Sequence, residues 1–273
     1  MANIIPMAGI GSRFSKEGYL LPKPLIQISG KPMIIRVIES LPDSDKWIFI
    51  VRSEFVKKHS IDNLIKSKIP NAIIIEIGRT TSGQASTCML AMKYLKPDEP
   101  MFVAACDNGF LYDKNSYKKL IAGKNVDSIV WTFTKNKLLS ENPFAWGYVQ
   151  TESDKITIKE VSVKKPVSNN PYNDHAIVAS FYFRKAKDFK QAYDLMKKEN
   201  FRVNEEFYID SIPIFLKKLG KRSVLFDVKL YVGWGKPSDL NYYHEMEYFY
   251  KMGLTPKGVK NWPDWKKFFD SLK

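Results

Sequence analysis

Apolar residues run through the first half of the chain in two alternating rhythms. The short unbroken runs "ANIIPM" (2–7), "WIFIVR" (47–52), "AIIIEI" (72–77) and "MFVAAC" (101–106) read as strands covered on both faces. Between them, "PMIIRVIESL" (32–41), "SEFVKKHSIDNLIKSK" (53–68, with Ser53 as cap) and "SGQASTCMLAMKYL" (82–95) repeat their apolar positions at three and four. That is the period of a helix with one buried stripe. Strand and helix in strict alternation predict a parallel sheet, with ligands bound beyond the carboxyl ends of its strands.

The rhythm changes after about residue 125. "SIVWTFT" (128–134), "WGYVQT" (146–151), "KITIKEVSV" (155–163) and "AIVASFYF" (176–183) are strands with little helix between them, which predicts an antiparallel extension. Two helices follow, "AKDFKQAYDLMKKE" (186–199) and "EEFYIDSIPIFLKKLG" (205–220), the second bent near Pro213. "SVLFDVKLYVGWG" (223–235) reads as a pair of strands, "PSDLNYYHEMEYFYKMG" (237–253) as a helix, and Trp262, Trp265, Phe268 and Phe269 anchor a short tail. The expected fold class is therefore α/β, doubly wound and mainly parallel (Rossmann-like), with a mixed sheet extended antiparallel in the second half. No internal repeat or flexible linker interrupts it.

Composition adds bounds. An apolar content of 44% suffices for a large core, so the 273 residues suit one continuous domain. Lysine and arginine exceed acids by 14, but the lysines are scattered as pairs such as Lys118-Lys119 and Lys217-Lys218. Without a block of like charge this reads as a solvated face, and no nucleic-acid partner is expected. Cys88 and Cys106 both sit in apolar runs with no disulfide or metal spacing. No basic stretch precedes the first apolar run, and no run reaches the roughly 18 residues of a membrane helix. The expectation is a cytoplasmic protein with no membrane partner. His59, His175 and His244 show no partner spacing. The aromatics of "NYYHEMEYFYKM" (241–252) recur at helical spacing and suit core packing or a subunit contact, which leaves a homo-oligomer open.

The densest chemistry lies in "PMAGIGSRFSKEGYLLPKPLI" (6–26). Gly9 and Gly11 directly follow a strand, where glycine lets backbone N–H groups approach an anion. The dinucleotide fingerprint fails because Phe14 stands where its third glycine belongs, and the P-loop fails because Pro32 follows Gly30-Lys31. Arg13 offers a fork of donors for phosphate oxygens, and Lys23 a point charge on a backbone restricted by Pro22 and Pro24.

Taken whole, "GIGSRFSKEGYLLPKPLIQISGKPMI" (9–34) resembles the signature of the sugar-1-phosphate nucleotidyltransferases, with weaker echoes to about residue 240 and the wording "PMAGxGSRF" of capsule and cell-surface polysaccharide members. The resemblance implies an enzyme in which an acceptor phosphate oxygen attacks the α-phosphorus of a nucleoside triphosphate and pyrophosphate leaves. It implies that Met7, Ala8, Gly9, Gly11 and Ser12 cradle the nucleotide and that Arg13 and Lys23 are catalytic. Gly83 and Gln84 in "TTSGQAST" would lie at the base, and Asp107 in "VAACDNGFLY" would bind nucleotide and Mg²⁺. Gly147 in "FAWGYVQ", Lys165 in "SVKKPVS" and Glu205 in "NEEFYID" would face the acceptor. It further implies a nucleotide-binding half (1–125) and an acceptor-binding half (126–240) in a domain spanning 1–240, followed by a helical, aromatic tail (241–273). Two positions depart from the pattern. Lys164 replaces the usual glutamate, and Gly233 replaces the usual second metal-binding aspartate, so that either Asp227 substitutes or the metal relies on Asp107 and phosphate oxygens. The altered acceptor positions also admit a cytidylyltransferase-like enzyme acting on a phosphorylated alcohol, amine or amino acid. A catalytically degenerate binding protein is the third reading.

Overall fold

The computed structural model describes residues 1–273. In chain order the first strands are β1 (Ala2–Met7), the short β2 (Gln27–Ile28) and β3 (Lys31–Pro32), which pair antiparallel and only with each other, then β4 (Lys46–Arg52), β5 (Ile73–Ile77) and β6 (Met101–Ala104), which with β1 form a central parallel group. In space the parallel order is β6-β1-β4-β5. Side chains explain why it is covered twice: Ile4, Ile48 and Ile50 join one buried cluster, while their neighbours Ile5, Phe49 and Val51 join the cluster on the opposite face. Alternate residues of a strand point to opposite faces, so an unbroken apolar run needs cover on both.

The antiparallel part follows. β7 (Asn108–Leu111) leaves the main sheet, and β8 (Ser128–Phe133), β9 (Gly147–Thr151), β10 (Ile158–Val163), β11 (His175–Phe183), β12 (Ser223–Asp227) and β13 (Leu230–Gly233) complete the strands. β11 joins the two halves. Residues 180–183 pair antiparallel with β6, residues 175–176 with β9, and the register against β8 shifts between Ile177 and Phe181. Inside that irregularity Ala179 sits at φ 58, a left-handed conformation that an L-residue with a Cβ rarely adopts. The mainly parallel sheet with an antiparallel extension agrees with the pattern read from the sequence.

Several local expectations needed correction. The helix expected over 53–68 is two, Ser53–His59 and Ile61–Lys68, because Ser60 is left-handed at φ 49 and turns the chain. Ser53 is the first helical residue, preceded by Arg52 in the cap position. Pro213 bends nothing. It lies in the first turn of the helix Ile212–Lys218, where its missing N–H removes no helical bond. The late strands do not pair with each other: β12 lies parallel to β8, whereas β13 lies antiparallel to β7 in a separate ribbon. Residue 240 falls inside the helix Pro237–Lys251, and the last helix, Trp262–Ser271, buries Trp262, Trp265, Phe268 and Phe269 in the same cluster as β7 and β13. Gly109 in β7 makes this packing possible, since a Cβ there would come within 2.7 Å of the Trp234 ring and 3.2 Å of Phe268.

Candidate active site

The carboxyl ends of β1 and β6 open into a cavity of about 260 Å³. Met7, Ala8 and Gly9 line it, and a Cβ on Gly9 would meet no protein atom within 4 Å, so the backbone there is left bare toward open space. Gly11 is left-handed at φ 71 and precedes the short helix Ser12–Lys16, with Lys23 packed 3.4 Å from where its Cβ would stand. Lys23 opens a 3₁₀ turn, Lys23–Leu25, closed by the bond from Leu25 N–H to the Pro22 carbonyl at 2.8 Å. Its ammonium donates to Asp107 Oδ2 at 2.7 Å. Burial works against the lysine's charge, but the Asp107 carboxylate beside it outweighs that penalty and holds the pKa above the ordinary lysine value.

The far wall is the loop from Thr80 to Gln84, locked onto the segment after Asn204. Phe207 N–H donates to the Ser82 carbonyl at 2.8 Å, and Ala85 N–H donates to the Phe207 carbonyl at 3.1 Å. Gly83, at φ 124, is required by this closeness: a Cβ there would lie 2.6 Å from the Phe207 nitrogen. The feature that demands glycine at 83 is therefore the protein's own backbone. The Gln84 side chain makes no hydrogen bond within the protein and lines this cavity and the next.

A second, larger cavity of about 640 Å³ adjoins the first, with Gln84 and Asp107 on the wall of both. Its floor is Ile177, Val178 and Ala179, the irregular stretch of β11, and Phe144, Trp146, Tyr208 and Tyr231 supply aromatic walls. Arg13 reaches it from the signature loop, Lys164 and Lys236 from the second half. Three carboxylates face the same space. Asp107 carries the Lys23 bond, and Asp239 lies 3.5 Å from Lys236. Asp210 has no ion pair within 4 Å and no hydrogen bond to another residue from its side chain, its own backbone N–H being its one donor, although the residue is only 9% exposed. Burial raises its carboxyl from the ordinary value to about 6, with the Lys164 charge pulling the other way. Burial in turn lowers the Lys164 pKa, while its ammonium donates to the Ala145 carbonyl at 2.5 Å.

The sequence-predicted residues thus fall into two groups. Met7, Ala8, Gly9, Lys23 and Gly83 line the first cavity, Arg13 and Gly147 the second, and Gln84 and Asp107 both. Gly11 supports Lys23, and Ser12 is exposed beside them. Lys165 and Glu205 line neither cavity and are exposed. Lys164 lines the larger cavity in place of Lys165, whereas Glu206 lines the smaller one, so the larger cavity receives neither glutamate. Lys164 and Glu205 both have positive φ, at 61 and 62, so the backbone turns at each. Asp227 is also elsewhere, accepting from Thr132 Oγ1 at 2.7 Å and lying 2.9 Å from His175 Nδ1. Asp239 and Asp210 were not singled out from the sequence. Each precedes a run of helical apolar residues, where an aspartate reads as an ordinary first-turn residue.

Residues 3–150, more than half of the chain, match the family described as MobA-like NTP transferase domain. The chain belongs to that family. Among curated relatives of this chain, the bifunctional protein GlmU of Carboxydothermus hydrogenoformans is 24% identical over 219 residues, 80% of this chain and 46% of the relative. The mannose-1-phosphate guanyltransferase of Debaryomyces hansenii is 26% identical over 174 residues, 61% of this chain and 46% of the relative. The chain thus spans about half the length of these two relatives. The fold is shared with a nucleoside-diphosphate-sugar pyrophosphorylase from Vibrio cholerae RC9 (TM-score 0.70, 20% identity, 89% of this chain and 99% of that one). It is also shared with the inositol-1-phosphate CTP transferase from T. maritima (TM-score 0.70, 17% identity, 93% and 98%). No helix of the chain is long and apolar enough to cross a membrane.

Proposed function

We propose that this chain is a Mg²⁺-dependent nucleotidyltransferase that joins a nucleoside triphosphate to a sugar 1-phosphate, giving an NDP-sugar and pyrophosphate for capsule or cell-surface polysaccharide. One observation carries the reading: two cavities of different character meet at Asp107, with Lys23 bonded to it and Arg13 on the wall of the second cavity. The nucleoside lies in the smaller cavity and its triphosphate crosses the bare turn at Gly9. An acceptor phosphate oxygen in the larger cavity attacks the α-phosphorus as the bond to the β-phosphate oxygen breaks, and pyrophosphate carries that electron pair away. The protein supplies position and fixed positive charge, and no covalent nucleophile is needed. His59, His175 and His244 line neither cavity.

The donor set fits a hard divalent cation. Asp107 stands at a strand end, and Gly235 leaves the space beside it free, since a Cβ there would lie 3.1 Å from Asp107 Oδ2. Asp239 shares the same cavity. No group of three or more His, Cys, Asp or Glu side chains forms a cage, which suits Mg²⁺ held by one or two carboxylates and substrate phosphates. When bound, the cation neutralises charge on the phosphates.

A second reading takes a phosphorylated alcohol, amine or amino acid as acceptor. It is favoured by Lys164 at the acceptor cavity and by the inositol-1-phosphate CTP transferase among proteins of this fold. Pyrophosphate release tests both. CTP, UTP, dTTP, GTP and ATP are each combined with hexose 1-phosphates, inositol 1-phosphate and phosphoethanolamine in the presence of Mg²⁺. Release with one pairing is the expected result and identifies base and acceptor; silence across the whole panel overturns the proposal.

A further inference from the structure

We propose that Asp210 selects the acceptor, its carboxylate taking a hydrogen bond from a donor group, hydroxyl or ammonium, on the acceptor's organic part. The inference rests on the nucleotidyl-transfer reading above and names what that site demands of its second substrate. A buried carboxylate without a partner bears a heavy desolvation penalty, so folded proteins pair such groups or place them where a ligand completes them. Of the three aspartates around the larger cavity, Asp107 and Asp239 each have a cation within 4 Å, whereas Asp210 has none that close. The Lys164 ammonium acts on it from farther away and is itself hydrogen-bonded to the Ala145 carbonyl.

The backbone gives way to keep Asp210 where it is. A Cβ on Gly147 would stand 2.5 Å from Asp210 Oδ2, closer than any side chain tolerates, so glycine there leaves the carboxylate its place on the cavity wall. Asp210 itself lies in a 3₁₀ turn, Ile209–Ser211, that leads into the helix Ile212–Lys218 and fixes its direction. The cavity is graded accordingly. Arg13 and Lys236 suit an acceptor phosphate near Asp107, Ile177 and Trp146 offer apolar wall, and Asp210 alone offers a free anionic acceptor. With its carboxyl at about 6, the group is mostly ionised at neutral pH and accepts strongly.

Calorimetric titration of the wild-type chain and Asp210→Asn with α-D-glucose 1-phosphate, phosphoethanolamine and ethyl phosphate tests the assignment, with Asp227→Asn as control. Either the first or the second probe is expected to bind wild type at least ten times more tightly than ethyl phosphate, reporting hydroxyl or ammonium respectively. Asp210→Asn should erase that preference and Asp227→Asn preserve it. Equal preferences in wild type and Asp210→Asn overturn the proposal, as does the lack of any preference for a donor-bearing probe. Thermal unfolding of the ligand-free proteins at pH 8 supplies a readout independent of ligand. Asp210→Asn should unfold no earlier than wild type, and a fall of more than about 5 °C would make Asp210 a structural group and overturn the assignment. If probe binding depends on Asp210 while no pyrophosphate is released with any nucleotide, the assignment stands and the transfer reading falls.

Discussion

The two cavities are made from the chain in opposite ways. Much of the smaller one comes from one continuous signature, Pro6 to Pro24, set against the ends of two parallel strands, and its key cation is already paired with Asp107. Besides Arg13, Gln84, Asp107 and Asn108, the larger one collects short pieces from residues 142–147, 164, 177–179, 204–210 and 231–239, three of them turned by left-handed residues, and it leaves Asp210 without an ion pair. A preformed charge pair suits a chemistry that does not vary with substrate. A patchwork of loops around an unsatisfied group suits recognition that does, because each loop can change without disturbing the parallel core.

The sharpest way to break the comparison is Lys23→Ala. Removal of a fixed donor to the reacting phosphates should lower turnover about 100- to 1,000-fold in steady-state kinetics, leaving the acceptor KM within about threefold. A large rise in acceptor KM would erase the distinction between the cavities. Gly147→Ala should do the reverse, since its Cβ pushes on Asp210: acceptor KM rises roughly tenfold, nucleotide KM barely moves, and stability falls by about 1–3 kcal/mol through overpacking.

The next effect is on stability against pH. Asp210 is an acid whose folded pKa, about 6, lies above its unfolded value, so the folded chain binds the proton more tightly. The penalty for ionising it is absent below about pH 4, develops through pH 6 and is complete above, reaching roughly 2–3 kcal/mol. Asp210→Asn should therefore gain stability over wild type at pH 8 and lose that gain at pH 4 in paired denaturant titrations. A pH-independent difference would place the burden elsewhere. Smallest of all, Ala179→Gly should stabilise by up to about 1 kcal/mol by relieving the left-handed alanine, measured by the denaturant midpoint.

Apolar runs made the strands legible, because a doubly covered sheet needs hydrophobic residues at every position of its central strands. The bounds of β1 are legible to the residue, and of the signature and Asp107 the structure sets Gly9 and Lys23 on the first cavity, Arg13 on the second and Asp107 on both. The acceptor side was less legible for a definite reason. Lys164, Asn204 and Glu205 are left-handed without being glycine, as are Ser60 and Ala179. Apart from Asn204, nothing in those side chains announces the turn, and one such residue is enough to put Lys164 rather than Lys165 on the larger cavity and Glu206 on the smaller one. Asp210 was hidden differently: its significance lies in the absence of a partner, which only the packed structure can reveal.

The ribbon of β7 with β13 sets the smallest stretch of this chain that can work. Asp107 lies just before β7, its carbonyl accepts from Trp234 N–H at 2.9 Å, and β6 needs β11 along its outer edge. A fragment cut at residue 150 would keep the whole family-matched stretch and every signature residue, yet expose an unpaired strand edge beside a carboxylate with no support behind it. Trimming to that boundary should yield an aggregating polypeptide, because the stretch that matches the family is smaller than the portion that folds.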